Sequence, residues 1–546
     1  MKITLVHPPF VLPMSVPPGM GKIKAYVEAK SPHSVDSLDL NLVWHEDVVA
    51  RARAGVCNFE VPGLQLGEGL RIADVWSRLA VAYDFFRSPG PEFFDQETYA
   101  RLSTEFIILL QGCHGQLNRS LVLGTPVPDL VADIGRYVRL VLDTSPDVVG
   151  FSLMFDRQIN FALYLGAEIK RLRPSTRLVF GGIAATQWKE ALAGMDVVDF
   201  VVQFDGERAL ATLLDALAGD GDFSRVPNLC YRGNGERKTN PVEFLSLDEF
   251  IPPDYTQTQP SRYFSPSPVV SILASKGCFW KRCSFCDIGK MSDTYLVGSV
   301  DHIVDEMERH VADGIRHFHF VDEMLSANLF RRLAREILRR GLSVDYYAYA
   351  RPTRHFNRET LELIAASGCR YIVWGVESAH DRVLGLIEKG TNVADMTEVL
   401  RASAASGIRN HTFVIVGFPG ETKEELQTTM SFLYDLRESI HGVHTSQFQL
   451  NQHTPIFDNP SRYGITAVRP VAGSSEVDYD VASGLSRKEA ARLLDHYSEI
   501  FLNDIAYAKP LLQLRDHALI LYGRWNELGM NPKRREPRRP EPPTAP

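Results

Sequence analysis

The sequence predicts an α/β protein: a parallel-sheet domain, then six strand-helix units forming a partly open ring, then a small helical segment. Three observations carry this. Short β-branched runs alternate with amphipathic stretches in two separate series. A stretch rich in proline, serine and tyrosine, Asp248 to Ser267, parts the two series. Within each series, polar and glycine residues collect just after the strands, where parallel sheets bind their ligands. At 546 residues the chain is too long for one ordinary core.

The first series opens with the strand Lys2 to His7, which runs into Pro8-Pro9, and continues with Ser34 to Leu40, which runs into Asn41. From Trp44 to about Asp143 amphipathic spacing predicts a helical insertion of unassigned role. Alternation then resumes: strand Asp147–Leu153, helix Asn160–Arg173, strand Arg177–Phe180 into Gly181-Gly182, a short helix Trp188–Gly194, strand Val198–Val202 into Gly206-Glu207, and helix Arg208–Leu217. Asn228 to Tyr231 is expected as an edge strand. Right-handed crossovers between such elements give a flavodoxin-like (Rossmann-type) sheet, with Pro9, Ser152, Leu153, Gly181, Gly182, Gly206 and Glu207 at its ligand-binding end.

The second series places strands at Val269–Ala274, His317–Val321, Val344–Ala348, Tyr371–Trp374, Thr412–Val416 and Thr445–Leu450, with helices between them. Asn357 caps one helix, and Thr422 with Glu425 reads as a capping box on another. Six βα units of this kind predict a partial (β/α)6 TIM-type barrel with its chemistry at the carboxyl ends of the strands. The expected boundaries are 1–246 for the first domain with its insertion at about 44–143, and 247–267 for the linker. The barrel is then 268–470, the C-terminal helical segment 471–530, and 531–546 a disordered tail. Val477 to Tyr522 is a candidate to close the barrel over substrate.

Composition narrows the function. A net charge of −8 weighs against a nucleic-acid partner. No run approaches the roughly 20 apolar residues that span a bilayer, and Met1 to Phe10 reads as a strand, not a leader, so a cytoplasmic protein without a membrane partner is expected. Seven cysteines, an odd number and mostly scattered, fit a reducing compartment.

Three of those cysteines, Cys278, Cys283 and Cys286, fall within nine residues directly after the first barrel strand. Thiolates suit an iron-sulfur cluster or zinc. Zinc needs a fourth ligand, and no second Cys-x-x-Cys or His pair lies nearby. A Cys-x-x-Cys redox pair would leave Cys278 unexplained. The position of the loop among five other polar strand ends favours the cluster.

This loop resembles the cluster motif of the radical S-adenosylmethionine (SAM) superfamily, in which three cysteines hold a [4Fe-4S] cluster and SAM chelates the remaining iron. The family spacing is three residues and then two. Here four separate Cys278 from Cys283, while the aromatic before the last cysteine, Phe285, is kept. The resemblance implies further roles: Asp322-Glu323 to receive the SAM amino group, Arg351 its carboxylate, Glu377-Ser378 the ribose, and Gly417 the adenine. The first domain is similar to the cobalamin-binding domain of one class of these enzymes, on His7-Pro8-Pro9, Asp39-Leu40-Asn41, Gly150-Phe151-Ser152, Gly181 to Thr186 and Asp205-Gly206-Glu207. No Asp-x-His-x-x-Gly signature follows Leu153, so no protein imidazole is expected on cobalt.

The implied activity is methyl transfer to an unactivated carbon of a natural-product or peptide substrate, fed by a one-electron reductant of flavodoxin or ferredoxin type. Two alternatives stay open. One is rearrangement, cyclisation or epimerisation without methyl transfer; the other is a non-catalytic cofactor-binding homologue.

Overall fold

The computed structural model describes residues 1–57, 72–88, 90–124, 134–233, 235–291, 294–471, 476–504, 508–529 and 539–541. The disordered-tail expectation falls almost wholly outside them. The chain forms two compact units, Met1–Phe93 with Arg101–Val270 and Phe94–Ala100 with Ser271–Pro546. No helix among the described residues is long and apolar enough to cross a membrane.

Unit 1 runs β1 (Lys2–His7), α1 (Pro18–Lys30), β2 (Ser34–Asp39), α2 (Leu40–Arg53), α3 (Ile72–Arg87), α4 (Gln96–Leu123), α5 (Ile134–Asp143), β3 (Val148–Ser152) and α6 (Ile159–Leu172). It continues through β4 (Arg177–Gly181), α7 (Ile183–Gln187), α8 (Lys189–Leu192), β5 (Phe200–Val202), α9 (Glu207–Ala218), β6 (Leu229–Gly233) and β7 (Glu236–Thr239). The sheet order is β2-β1-β3-β4-β5-β6-β7, parallel through β5 and antiparallel beyond it. The parallel, doubly wound part is the expected one. Two expectations change. The strand at Leu229–Gly233 is internal, because β7, whose four residues are all exposed and give no alternation signal, lies outside it. The helical insertion starts at Leu40, where Asp39 caps α2 by accepting from Leu42 N. The stretch between the two series is held down: Tyr263 and Phe264 are buried, and the Tyr263 hydroxyl donates to Asp39 at 2.5 Å.

Unit 2 contains β8 (Val269–Ile272), β9 (Ser275–Lys276), α10 (Ile288–Met291), β10 (Leu296–Val297), α11 (Val300–Ala312), β11 (His317–Phe320), α12 (Ala327–Arg339), β12 (Asp345–Ala350), α13 (Arg358–Ala366), β13 (Cys369–Glu377), α14 (Asp381–Ile387), α15 (Val393–Ala405), β14 (Arg409–Val416), α16 (Lys423–Asp435) and β15 (Gly442–Gln447). After these come β16 (Leu450–Asn451), α17 (Pro455–Asp458), β17 (Ile465–Pro470), β18 (Glu476–Val481), α18 (Arg487–Asp504), α19 (Ala508–Gln513) and α20 (Arg515–Glu527).

Six strands pair in chain order, β8-β11-β12-β13-β14-β15, and among the described residues nothing pairs β15 back onto β8. That is the expected partial barrel. Its helices are cut for the purpose: α12 buries Leu329, Phe330, Leu333, Ala334 and Ile337 on one face and turns its arginines out. Inside, rings from four successive strands stack, His319 on Tyr347 at 4.2 Å, Tyr347 on Tyr371 at 4.4 Å and Tyr371 against His411 at 4.9 Å.

The sixth strand sits three residues earlier than expected, and Leu450–Asn451 belongs instead to an unanticipated antiparallel sheet, β16-β18-β17. The last helix lies apart from the rest of the segment expected to close the barrel: α18 packs its Ala490 on Gly417 at the end of β14, whereas α20 does not. In α20, Tyr522 bonds His411 at 2.7 Å, Asp516 accepts from Tyr347, and Gly523 abuts Asp345, the first residue of β12. This helix therefore plugs the amino-terminal end of the barrel, away from the strand ends that would face substrate.

Candidate functional site

The cysteine loop is built as a closed excursion. The two-residue ladder of β9 with β10 ties its ends together, and Gly277 (φ +79) lies so close to Thr294 O that a Cβ there would sit 2.6 Å away. Within the loop Lys281, between Cys278 and Cys283, takes a left-handed φ of +53. Trp280 Nε1 donates to Glu388 O at 2.8 Å and its ring lies against Gly390, where a Cβ would come within 2.1 Å. Ser284 N donates to Ile387 O, and Ile456 N donates back to Ser284 O. The loop is thus seated on the end of α14.

All three thiols are half-buried. Burial raises the Cys283 thiol, with Lys389 and Arg351 pulling it back down and Glu377 and Cys278 pushing it up. Cys286 is pushed up to about 12 by burial, with Cys283 and Cys278 adding to the rise. The thiols therefore share one neighbourhood with Arg351, Glu377 and Lys389. Among the described residues, no three His, Cys, Asp or Glu side chains converge tightly enough to hold a metal ion outright.

The strand ends divide into groups that face this loop and groups that do not. Glu377 lies where β13 breaks register against β14, in a left-handed conformation (φ +63), and accepts from Lys389 Nζ at 2.7 Å. Burial works against the Lys389 ammonium, but Glu377 and Cys283 outweigh it and hold its pKa above the usual value. The Arg351 guanidinium lies 3.9 Å from the Trp280 ring centre, donates Nη1 to Lys389 O, and keeps a buried Nε with no partner. Phe285 has the Lys389 ammonium 5.9 Å from its ring centre. Glu323 opens to solvent at the end of β11, its pKa raised by desolvation and by Asp287.

Three expected site residues are otherwise engaged. Asp322 is buried, with its pKa raised to about 6 by desolvation, and accepts from Ser275 N, Ser275 Oγ and Ala274 N, so it braces β11 to the end of β8. The Ser378 hydroxyl is fully buried against Thr429 of α16 at 3.2 Å. Gly417 (φ +77) faces Ala490 of α18, which would lie 2.4 Å from a Cβ there, and its N–H donates to Glu421.

In unit 1 the motifs mostly stitch loops together. Asn41 Oδ1 accepts from both Phe10 N and Val11 N, and Gln158 donates to Pro8 O while accepting from Met154 N and Phe155 N. Pro9 sits between these clamps. Gly182 (φ +94) lies hard against the Leu153 backbone, so its glycine serves the packing of two loops where approach to a ligand was expected. Thr186 joins the ends of β4 and β5 by accepting from Phe204 N. Gly206 packs on Ile23 of α1, and the buried Glu207 has its carboxyl raised by burial. What these clamps leave uncovered includes three large apolar side chains beside Asp156 and Arg157: Met154, Phe155 and Ile183 are 38%, 41% and 52% exposed at the ends of β3 and β4. Ser152 is half-buried beside them.

Comparison with known proteins agrees with this arrangement. Residues 272–433 match the family model of the Radical SAM superfamily, and residues 120–214 match the B12 binding domain. The chain thus carries a Radical SAM domain and a B12 binding domain. Relatives of the chain include an uncharacterized methyltransferase, PH0819, of Pyrococcus horikoshii, 27% identical over 54% of this chain and 65% of that one. Another is the anaerobic magnesium-protoporphyrin IX monomethyl ester cyclase of Cereibacter sphaeroides, 26% identical over 58% of this chain and 53% of that one. The chain spans under two thirds of either relative's own length. The fold is shared with the cobalamin-dependent S-adenosylmethionine radical enzyme OxsB, at a TM-score of 0.63 and 16% identity over 92% of this chain and 67% of that one.

The cofactors that these two domains imply are a [4Fe-4S] cluster and SAM for the first and cobalamin for the second. The residues present fit them. Three thiols with two cations beside Cys283 suit a cluster that takes three protein ligands, since nearby positive charge favours thiolate. The unpartnered Arg351 Nε suits an anionic group. The uncovered apolar strand ends of unit 1 suit a broad flat ligand. Sequence reasoning missed Trp280, Lys389 and Gly390. Only the adjacency of a lysine and a glycine just past a helix end could have pointed to the last two.

Proposed function

We propose that this protein is a cobalamin-dependent radical SAM methyltransferase acting on an unactivated carbon of a small-molecule or peptide substrate. The observation that carries the reading is the meeting of three thiols with Arg351, Glu377 and Lys389 at one strand-end rim, in a chain that also holds a B12 binding domain. When bound, the cluster with SAM supplies a 5′-deoxyadenosyl radical and cobalamin a methyl group.

The protein's own part is placement and exclusion of water. Cys278, Cys283 and Cys286 ligate the cluster. Arg351 offers its free Nε edge to the SAM carboxylate, Glu323 accepts the SAM amino group, and Glu377, held by Lys389, accepts ribose hydroxyls. Phe285 and the Gly417 backbone flank the adenine. Asp322 and Ser378 act through the backbone they fix. In the first domain, taken as 1–246, Pro9, Ser152, Leu153, Gly181, Gly182, Gly206 and Glu207 shape the rim around the apolar strand ends for the corrin. A flavodoxin- or ferredoxin-type reductant in the cytoplasm supplies the electron.

Anaerobically reconstituted protein given methyl-labelled SAM tests this: label should enter a product, and Cys283→Ala should lose iron and all turnover. The cyclase among the relatives favours one second reading, ring formation without methyl transfer. Product free of label, made with cobalamin bound, would select it.

A further inference from the structure

Arg515, the first residue of α20, projects into the barrel between Tyr349 of β12 and Phe413 of β14, 5.5 Å from each ring centre. Its Nη1 donates to the Tyr349 hydroxyl and its Nε donates to Leu512 O at 3.2 Å, leaving Nη2 with no acceptor. No carboxylate among the described residues lies within ion-pair reach of it. Among the described residues, Asp516 accepts from Tyr347, and Glu323 stands at the rim.

A largely desolvated guanidinium without a counter-ion is costly unless something supplies one. The surrounding groups do not. His319, His411 and His444 all have their pKa lowered by burial and by Arg515, and are neutral. The buried His319 Nε2 has no partner either, so a second polar atom beside Arg515 is unsatisfied. Tyr349, Phe413, His444 and His319 are each only half-buried, so this wall borders open space inside the barrel. Along β12 the inward positions climb from Tyr347 through Tyr349 to Arg351, which places Arg515 below the rim where the thiols gather.

We propose that Arg515 is a substrate-anchoring residue: the substrate carries an anionic group, a carboxylate or a phosphate, that forms its ion pair at the floor of the barrel and points the reacting carbon toward the rim. This rests on the barrel being the place of turnover. Anchoring at Arg515 would make the substrate's charge the missing counter-ion, and the aromatic walls would strengthen the pair by excluding water.

Binding is read by calorimetry on the full chain with inorganic phosphate and with benzoate as probes, without turnover. Saturable binding of either is expected, weakened at least about tenfold in Arg515→Gln and largely kept in Arg515→Lys. His444→Asp, which keeps the arginine and supplies a carboxylate beside it, should weaken binding similarly and decides the matter if Arg515→Gln does not fold. Phosphate binding alone names a phosphoester substrate, and benzoate alone a ring-bearing carboxylate. No saturable binding, or binding by the Gln and Asp variants as tight as the parent's, overturns the assignment. Because methyl-label transfer is not the readout, failure here leaves the methyltransferase reading standing, and failure of the labelling assay leaves this binding intact.

Discussion

Lys389 and Glu377 form an ion pair of 2.7 Å with side chains only 10% and 9% exposed, and Gly375 is what makes room for it. A Cβ at Gly375 would lie 2.7 Å from Lys389 Nζ and 2.8 Å from Glu377 Oε1. The pair fixes a carboxylate beside Cys283, and the backbone carbonyl of the same lysine holds Arg351. Three groups proposed to touch SAM or the cluster thus depend on one lysine.

Lys389→Met should therefore do two things. Leaving Glu377 buried and unpaired costs about 3–5 kcal/mol, readable as a fall in the urea midpoint. SAM affinity should fall with it. The double variant Lys389→Met/Glu377→Met should regain more than half of the lost stability but none of the SAM binding. A double variant that is additive in stability would show that the two side chains do not interact.

Gly390 has φ +67, and a Cβ there would sit 2.1 Å from the Trp280 ring. Gly390→Ala should expel Trp280 from its seat at a cost of about 1–3 kcal/mol, red-shift tryptophan emission and lower iron uptake on reconstitution. Adding Trp280→Ala should restore folding without restoring iron. If Gly390→Ala takes up iron like the parent protein, Trp280 does not position the loop.

Asp322 accepts from two backbone N–H groups and a hydroxyl in a buried setting. Asp322→Ala orphans those donors, at about 1–3 kcal/mol for each N–H, so a loss of at least about 2 kcal/mol is expected in chemical denaturation. Asp322→Asn keeps one acceptor and should lose less. A null result in both would remove its bracing role.

Both sheets were legible because their strands are short β-branched or aromatic runs followed by polar residues, a pattern that local sequence carries by itself. The boundaries that slipped have physical causes. Glu236–Thr239 is an edge strand with no buried face, so nothing alternates. Gly442–Gln447 holds few apolar side chains, and attention passed to Phe448 and Leu450 beyond it. At the site, the cysteines stand out because three thiols within nine residues are rare, whereas Glu377 is reached only through the family resemblance. The engagement of Asp322 with Ser275 and of Ser378 with Thr429 was not legible, since a long-range hydrogen bond leaves no periodic trace. Nor was Gly182, whose glycine answers to the Leu153 backbone.

Glu421 offers a pH test of the adenine side of the site. Its carboxyl is fully buried in the turn after β14, with Oε2 accepting from Gly417 N at 2.7 Å and Oε1 left without a partner. Burial raises its pKa to about 8, Glu425 adding to the rise and Gly417 N opposing it. In the unfolded chain it titrates near 4.5. Below that value the group is neutral in both states and carries no penalty. As pH climbs toward 8 the unfolded chain releases the proton while the folded one keeps it, so stability falls by up to about 1.4 kcal/mol per pH unit and levels off above 8. Glu421→Gln keeps the shape and the Gly417 bond but cannot ionise. Its melting temperature should match the parent's near pH 4 and exceed it by several degrees at pH 8, a gap on the order of 4 kcal/mol. Parallel melting curves across that range would mean the carboxylate is already ionised at neutral pH, compensated by Arg382 nearby.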